Sequence, residues 1–289
     1  MSRSTVVVHG ATGTQGSPVV RRLLAAGHRV RAVVRSASAP GLPAGAEPVV
    51  ADLSVPASLT DAYAGADAVV VQLPLAFAAD SAVPQAEAVL GALKGAGVPR
   101  AVFNTGGPPV AEPIGVPFVD ARVLLAAELP GVVDVAAVVG PARTYMENLA
   151  APWSLPLVAG GEIAYPLAAE LPVPWLALDD LAAAIAELVT DPAPPPLRIV
   201  AGPQALTGDQ AAAELAAALR RDLRWRTVEP GEYERMLAPH LGPEAAAGIA
   251  AAYTPPPPGT PPPPAPDPAL IRTGTTSLRE WATRQDWRC

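Results

Sequence analysis

Residues 5–16, TVVVHGATGTQG, decide the fold of this 289-residue chain. Thr5–Val8 is a β-branched, apolar run, as expected of a strand that is buried on both faces of a parallel sheet. Gly10, Gly13 and Gly16 follow at regular intervals, and an apolar helical pattern comes next. In a strand–turn–helix unit that binds a dinucleotide, such glycines permit the tight turn, the approach of backbone to pyrophosphate and close helix packing. The amides that open the helix then face the phosphates.

Strand and helix signals alternate after this unit, which is typical of a parallel sheet covered by helices on both faces. Further strands are predicted at 29–34, 48–51, 68–73, 101–105 and 133–139, with helices at 56–64, 83–96 and 119–129. Ser54 is the predicted cap of the helix that begins at Pro56. The predicted fold class is α/β, a doubly wound parallel sheet of Rossmann type with a smaller C-terminal α/β cap.

Domain boundaries follow from a change in pattern after Asn148. Residues 1–150 are predicted to form the dinucleotide-binding domain, to which an amphipathic helix at 179–190 returns. Residues 151–289 form the predicted smaller substrate or cap region, with a strand at 197–201, a helix at 211–221 introduced by Thr207, a strand at 224–228 and a final helix capped by Thr276 or Ser277. Ten prolines among residues 254–268 favour a polyproline II connector, and a ligand for a proline-binding module is the alternative.

Several motifs make the chain resemble a known family. Residues 10–16, GATGTQG, look like the phosphate loop of the NmrA-like branch of the atypical short-chain dehydrogenases/reductases. Arg35 after the second strand, residues 145–148 (YMEN) after the sixth and residues 175–182 at a later helix start also match. The resemblance extends to about Leu237. It implies an NAD(P)-binding Rossmann domain with a cap that contributes the substrate pocket.

Composition limits the classes of function. A net charge of −7, which no cluster of Lys or Arg offsets, argues against nucleic-acid binding. The mean hydropathy is +0.28, but no apolar run of about twenty residues is present, so a membrane span is not expected. One cysteine, Cys289, and a strand that starts at residue 5 predict a cytoplasmic protein without a signal peptide. The three histidines are dispersed, so no metal site is predicted.

The predicted cofactor is NADP(H). NAD-specific enzymes commonly place an acidic residue after the second strand, where it binds the ribose 2′-hydroxyl. Arg35 stands there instead, and its planar, charged fork suits a 2′-phosphate. The resemblance implies that Asp52 and Leu53 lie beside the adenine, although Asp52 is alternatively a helix cap. The predicted cofactor-binding residues are Gly10, Thr12, Gly13, Thr14, Gln15, Gly16, Arg35, Asp52, Leu53, Leu73, Pro74, Asn104 and Thr105.

An ordinary Tyr-x-x-x-Lys pair is absent, because Lys94 is the only lysine and Leu90 lies four residues before it. In such pairs the lysine lowers the pKa of the tyrosine, which then exchanges a proton with the carbonyl oxygen. Catalytic members of the NmrA-like and isoflavone-reductase-like branches keep a lysine at the start of the helix after strand five. Here that stretch, 118–122, reads FVDAR, and Arg122 replaces the lysine as a donor that cannot act as a base.

The predicted catalytic residues are Tyr145, Thr105 and Arg122. Tyr145 is the predicted proton donor, and packing at the domain junction is its alternative role. Thr105 ends strand five, where a threonine is also often structural. No metal ligand is predicted.

Three functions remain open from the sequence. The first is an NADPH-dependent oxidoreductase that reduces a small, largely apolar carbonyl, quinone or enone; apolar and tryptophan residues of the cap favour it. The second is a non-catalytic NADP-binding redox sensor with a protein partner, which the missing lysine favours. The third is a lyase, isomerase or cyclase on the same scaffold. A small-molecule substrate is expected, whereas neither a nucleic acid nor a membrane is, and a homodimer or a protein partner stays open.

Overall fold

The computed structural model describes residues 3–255, 259 and 265–288. Most of the predicted polyproline segment at 254–268 therefore lies outside the described residues. The strands are β1 (Thr5–Val8), β2 (Arg29–Val34), β3 (Glu47–Val50), β4 (Ala68–Gln72), β5 (Arg100–Asn104), β6 (Val135–Pro141), β7 (Glu162–Tyr165), β8 (Val173–Pro174), β9 (Leu197–Ala201), β10 (Ala205–Leu206), β11 (Arg224–Thr227) and β12 (Ile271–Thr273). The α-helices are α1 (Gly16–Ala25), α2 (Pro56–Tyr63), α3 (Ala79–Gly95), α4 (Pro117–Glu128), α5 (Leu155–Ala159), α6 (Leu178–Thr190), α7 (Gly208–Leu219), α8 (Pro230–Leu241), α9 (Pro243–Ala251) and α10 (Leu278–Ala282).

The described chain divides into two compact units. Unit 1 contains Met1–Pro141 and Leu178–Val200, and unit 2 contains Ala142–Ala177 and Ala201–Cys289.

Unit 1 is built around a parallel sheet. Seven of its strands pair in the order β9-β6-β5-β4-β1-β2-β3, all in parallel register. The chain starts in the middle of the sheet, builds one half through β3 and then crosses to β4 for the other half. This strand order confirms the predicted doubly wound α/β fold. The crossover between β1 and β4 is the point where such sheets bind ligands, at the carboxyl ends of the strands.

Helices cover both faces of this sheet. α1 packs beside α6, and α3 lies between α2 and α4. The second layer forms one core with inward-facing residues of the sheet, among them Val7, Val69 and Phe103, all with no exposed surface. The valine-rich sequence of β1 follows from burial on both faces, because a strand between two helical layers has no side that is left polar.

In unit 1 the structure differs from the prediction at the start of α3 and at the cap of α2. α3 begins at Ala79, four residues before the predicted start. The prediction missed its first turn because the small residues there show no apolar periodicity. The predicted Ser54 cap of α2 is wrong: Val55 occupies the N-cap position and no side chain caps the helix. The reason is local, since the backbone N–H and the hydroxyl of Ser54 both donate to the Asp52 carboxylate, at 2.8 and 2.7 Å.

Unit 2 combines short strands with helices around an aromatic core. β7 pairs with β11 in parallel and β8 pairs with β10 in antiparallel. The Tyr165 ring lies in the middle, within 6.2 Å of four other rings, those of Trp175, Trp225, Tyr233 and Tyr253. The predicted helix after Thr207 is confirmed as α7, and a capping box with Gln210 explains where it begins.

Candidate nucleotide-binding site

The glycine loop between β1 and α1 has a geometry that larger residues do not allow. Gly10 has a φ of +59°, a backbone conformation that is unfavourable for a residue with a side chain. Gly13 closes the turn by donating its N–H to the Gly10 carbonyl oxygen at 2.8 Å. A Cβ placed on Gly16 would lie 2.2 Å from the same oxygen, so that helix α1 starts directly against the turn.

The start of α1 suits a bound anion. Thr12, Gly13 and Thr14 are exposed, and the first turn of the helix carries no acidic residue. The positive end of the helix dipole, and the exposed loop backbone that leads into it, are therefore available to a phosphate group. The backbone cradle and the choice of residues fit the pyrophosphate of a dinucleotide.

Asn104 ties the glycine loop to the end of β5. Its side chain is almost completely buried, with 1% exposed, and its amide Nδ2 donates to Gln15 Oε1 at 2.9 Å. Its Oδ1 accepts the N–H of Gly106 at 3.1 Å. One amide thus holds together two of the predicted cofactor segments, which lie about 90 residues apart in the sequence.

His9 anchors the start of the glycine loop from the other side. Its buried Nε2 lies 2.6 Å from the Tyr63 hydroxyl of α2, and the imidazole also bonds the Gln72 backbone at the end of β4. Because that backbone group is an acceptor, we assign the ring proton to Nδ1, and the Tyr63 hydroxyl then donates to Nε2. Burial lowers the pKa of His9 to about 4, the Gln72 bond opposing part of that shift. The imidazole is therefore neutral at physiological pH.

Arg35 lies exposed just after β2. The loop that follows it passes the glycine loop, since a Cβ on Gly41 would lie 4.0 Å from the Thr12 carbonyl oxygen. The pKa of Asp52 is lowered, first by the bonds from Ser54 and to a smaller extent by the charge of Arg35. Arg35, Asp52 and the glycine loop therefore lie at the same edge of the sheet.

The remaining unit 1 candidates lie at the ends of β4 and β5. Leu73 is buried and Pro74 is exposed. The Thr105 hydroxyl donates to the Gly107 carbonyl at 2.6 Å, with the Val139 carbonyl 3.2 Å away. This geometry favours a structural role for Thr105, because its proton is already shared with backbone acceptors.

Arg122 of α4 also bonds to the backbone. Its Nε donates to the Thr105 carbonyl at 2.8 Å, its Nη1 to the Phe118 carbonyl at 2.7 Å and its Nη2 to the Leu73 carbonyl at 3.2 Å. The guanidinium therefore contacts the backbone of the two loops that carry the predicted cofactor residues Leu73 and Thr105.

Tyr145 belongs to unit 2, whereas the other predicted site residues belong to unit 1. It is buried, with 6% exposed, and forms a backbone bridge with Leu176. Nearby, Asn148 donates to the Thr144 and Tyr165 hydroxyls at 3.0 and 3.2 Å, and burial strongly raises the pKa of Tyr165. These neighbours of Tyr145 therefore act in packing of unit 2.

Sequence reasoning missed Tyr63, Phe77 and Phe118. Tyr63 offers no local signal, because its partner His9 lies 54 residues away. Phe118 does have a local signal. It stands four residues before Arg122 on a helix, and this spacing places the two side chains on the same face.

Two kinds of site receive no support from the described residues. In the described ranges, no group of three or more His, Cys, Asp or Glu side chains could hold a metal ion. Within the same ranges, no helix has the length and apolarity that a membrane crossing needs.

Comparison with known proteins places these features in a family. An NAD(P)H azoreductase of Xenophilus azovorans is 32% identical over 251 residues, which cover 84% of this chain and 83% of the relative. Two solved structures share the fold. The NADPH-dependent quinone oxidoreductase QOR2 of Escherichia coli has a TM-score of 0.67 at 23% identity, covering 96% of this chain and 98% of that one. The negative transcriptional regulator NmrA has a TM-score of 0.64 at 20% identity, covering 87% and 83%.

The family model described as the NmrA-like family matches residues 2–251, nearly the whole chain. With the glycine loop, the strand order and the relative at 32% identity, this match means that the chain belongs to the NmrA-like family.

Proposed function

We propose that this protein is an NADPH-dependent reductase of a small, largely apolar carbonyl, quinone or enone. The glycine loop carries the proposal: Gly16 packs against the Gly10 carbonyl, and the exposed residues 12–14 lead into a first turn of α1 that has no acidic side chain. The relative at 32% identity is named as an NAD(P)H azoreductase, which supports a reductase in general.

The cofactor side of the proposal assigns a role to each segment of unit 1. Residues 10–16 and the first amides of α1 bind the pyrophosphate, and Arg35 binds the ribose 2′-phosphate. Asp52 and Leu53 border the adenine, while Leu73, Pro74, Asn104 and Thr105 border the nicotinamide ribose. NADPH, when bound, supplies the hydride.

The substrate side of the proposal rests on apolar loops and one phenol. Leu75 and Ile114 follow β4 and β5 and are 50% and 60% exposed, which suits a largely apolar substrate at the carboxyl edge of the sheet. Tyr145 is the proposed proton donor, through its hydroxyl, to the substrate oxygen that becomes basic as hydride is added. Thr105, directly after β5, and Arg122 of α4 are proposed to support this chemistry indirectly, through their hydrogen bonds to the surrounding backbone.

A non-catalytic redox sensor is the second candidate. The observation that favours it concerns lysine. Lys94 is the only lysine of the chain, and it lies exposed on α3, so no lysine can lower the pKa of Tyr145. In that case the nucleotide site would report the ratio of NADP+ to NADPH, and a protein would be the partner.

Calorimetric titration with NADPH, NADP+, NADH and NAD+ separates the two candidates. A reductase is expected to bind both phosphorylated forms with little preference for redox state, and both unphosphorylated forms more weakly. A strong preference for NADP+ over NADPH would favour the sensor. Absence of binding to all four nucleotides would contradict both.

Oxidation of NADPH, followed at 340 nm, then tests the substrate class. We expect turnover with small, largely apolar carbonyls, quinones or enones. A chain that binds NADPH but oxidises it with none of these acceptors would contradict the reductase proposal while leaving the nucleotide site intact.

A further inference from the structure

Arg122 connects three separate segments of unit 1. It lies on α4 and donates to the carbonyl oxygens of Leu73, in the loop after β4, and Thr105, in the loop after β5. It also donates to the Phe118 carbonyl, one turn earlier on its own helix. Bonds from a charged donor to backbone acceptors are stronger than neutral ones, so each loop end is held firmly to α4.

A stack of aromatic rings strengthens the same connection. The guanidinium carbon of Arg122 lies 3.4 Å from the centroid of the Phe118 ring. The Phe118 ring in turn stacks on Phe77, with centroids 4.6 Å apart and ring planes 19° apart. Phe77 belongs to the loop after β4, so this loop is held by the Leu73 bond and by the ring stack.

This geometry needs an arginine. A planar guanidinium directs N–H groups at several carbonyls and stacks on a ring at the same time, whereas an ammonium is a compact, strongly hydrated charge. Its hydrogen bonds to Thr105, Phe118 and Leu73 carbonyls give it a task different from proton transfer.

We propose that Arg122 is a positioning residue that clamps the loops after β4 and β5 to α4 and so shapes the nicotinamide end of the cofactor site. The inference rests on the proposed function, and it gives Arg122 a role that is separate from binding of the adenosine half. The clamp consists of Arg122, Phe118, Phe77 and the carbonyls of Leu73 and Thr105.

Two nucleotides distinguish the ends of the site. NADPH contacts both ends, whereas adenosine 2′,5′-bisphosphate lacks the nicotinamide half and reports the adenosine end alone. In Arg122→Met the affinity for NADPH is expected to fall about tenfold, and the affinity for adenosine 2′,5′-bisphosphate is expected to change less than about twofold. Arg122→Lys should recover part of the loss, because an ammonium can still bind one or two of the carbonyls.

A matched control is Arg29→Met, which removes another guanidinium of unit 1. Arg29 pairs with Glu47 at the start of β2, at the opposite end of the strands, and should leave both affinities unchanged. Equal loss of both nucleotides in Arg122→Met would overturn the inference, because it would indicate a general structural defect. Unchanged affinity for NADPH would overturn it as well.

Hydrogen exchange tests the clamp without any nucleotide. The Ala76 amide bonds the Pro74 carbonyl and the Gly106 amide bonds Asn104 Oδ1, so both report the order of the clamped loops. Arg122→Met should speed exchange at both amides and Arg29→Met at neither; equal rates in wild type and Arg122→Met would overturn the clamp.

Failure of the proposed function gives a different result. If the wild-type chain bound neither NADPH nor adenosine 2′,5′-bisphosphate, the cofactor site would be contradicted, and with it the assignment of the clamp to that site. Nucleotide binding by the wild type together with unchanged binding in Arg122→Met would contradict the clamp alone.

Discussion

At the scale of one residue, the packing of the glycine loop excludes any side chain at Gly16. In Gly16→Ala the new Cβ would lie 2.2 Å from the Gly10 carbonyl oxygen, so the turn or the helix start must move. We expect the affinity for NADPH to fall at least tenfold and the free energy of unfolding to fall by roughly 1–3 kcal/mol. Calorimetry and urea unfolding measure the two effects.

Gly91→Ala is the matched control for that substitution. Gly91 lies inside α3 with open space around its Cα, so alanine should leave NADPH binding unchanged and stabilise the helix by about 0.5–1 kcal/mol. Equal changes in NADPH affinity and in the free energy of unfolding for the two variants would contradict the close packing of the glycine loop.

Arg35 carries the prediction about cofactor choice. Arg35→Ala removes the exposed guanidinium after β2 and should weaken NADPH binding about tenfold or more, while NADH binding changes little. The ratio of the two dissociation constants is the measurement. A parallel loss for both nucleotides would show that Arg35 does not recognise the 2′-phosphate.

Tyr145 carries the prediction about proton donation. Tyr145→Phe removes only the hydroxyl, and a general acid typically contributes about 10²–10⁴-fold to turnover. We expect kcat to fall by at least about 100-fold, with NADPH affinity intact. Normal turnover by the variant would exclude the phenol from the chemistry and leave Tyr145 a packing residue of unit 2.

At the scale of secondary-structure elements, His9 joins β1 to α2 and β4 through a buried, neutral imidazole. An unfolded histidine titrates near pH 6.5, whereas burial lowers the folded pKa of His9 to about 4. Between these two pH values the unfolded chain binds more protons at His9 than the folded chain does. The free energy of unfolding should therefore fall as the pH drops below 6.5, by about 3 kcal/mol in total near pH 4.

Urea unfolding at several pH values checks this contribution. His9→Gln lacks the titrating ring, so its free energy of unfolding should depend less on pH between 6.5 and 4. Magnetic resonance of the wild-type imidazole gives an independent test. A His9 ring that takes up a proton near pH 6.5 in the folded protein would contradict the buried, neutral state.

Elements with a strong local signal are predicted well from the sequence. α2 begins at Pro56, as predicted, because proline fits the first turn of a helix. Residues 151–174 show no long period, yet they include α5 and β7. These short elements depend on the aromatic core around Tyr165, and residues of that core come from distant parts of the chain.

At the scale of the whole molecule, nucleotide binding should stabilise the folded chain. A ligand at about 100 times its dissociation constant stabilises the native state by about 2.7 kcal/mol. The melting temperature should therefore rise by several degrees with NADPH at that concentration, and less with NADH at the same concentration. The Arg35→Ala variant should lose most of the difference between the two nucleotides, and an identical shift for both in the wild type would contradict a preference for NADPH.

The sequence by itself determined the fold class and the position of the nucleotide loop. A buried strand, three spaced glycines and an apolar helix are local patterns, and backbone sterics link each pattern directly to its structure. The role of Arg35 at the ribose 2′-phosphate, inferred from its position after β2, stays a prediction.

Only the tertiary structure decided how the site is held together. Asn104 bonds Gln15, His9 bonds Tyr63, and Arg122 bonds Leu73 and Thr105, each across a wide separation in sequence. Whether Arg122 faces a substrate or backbone carbonyls depends on where other strands end, because a guanidinium serves either purpose. The periodicity of apolar residues along a chain does not predict such partners, because only folding brings them together.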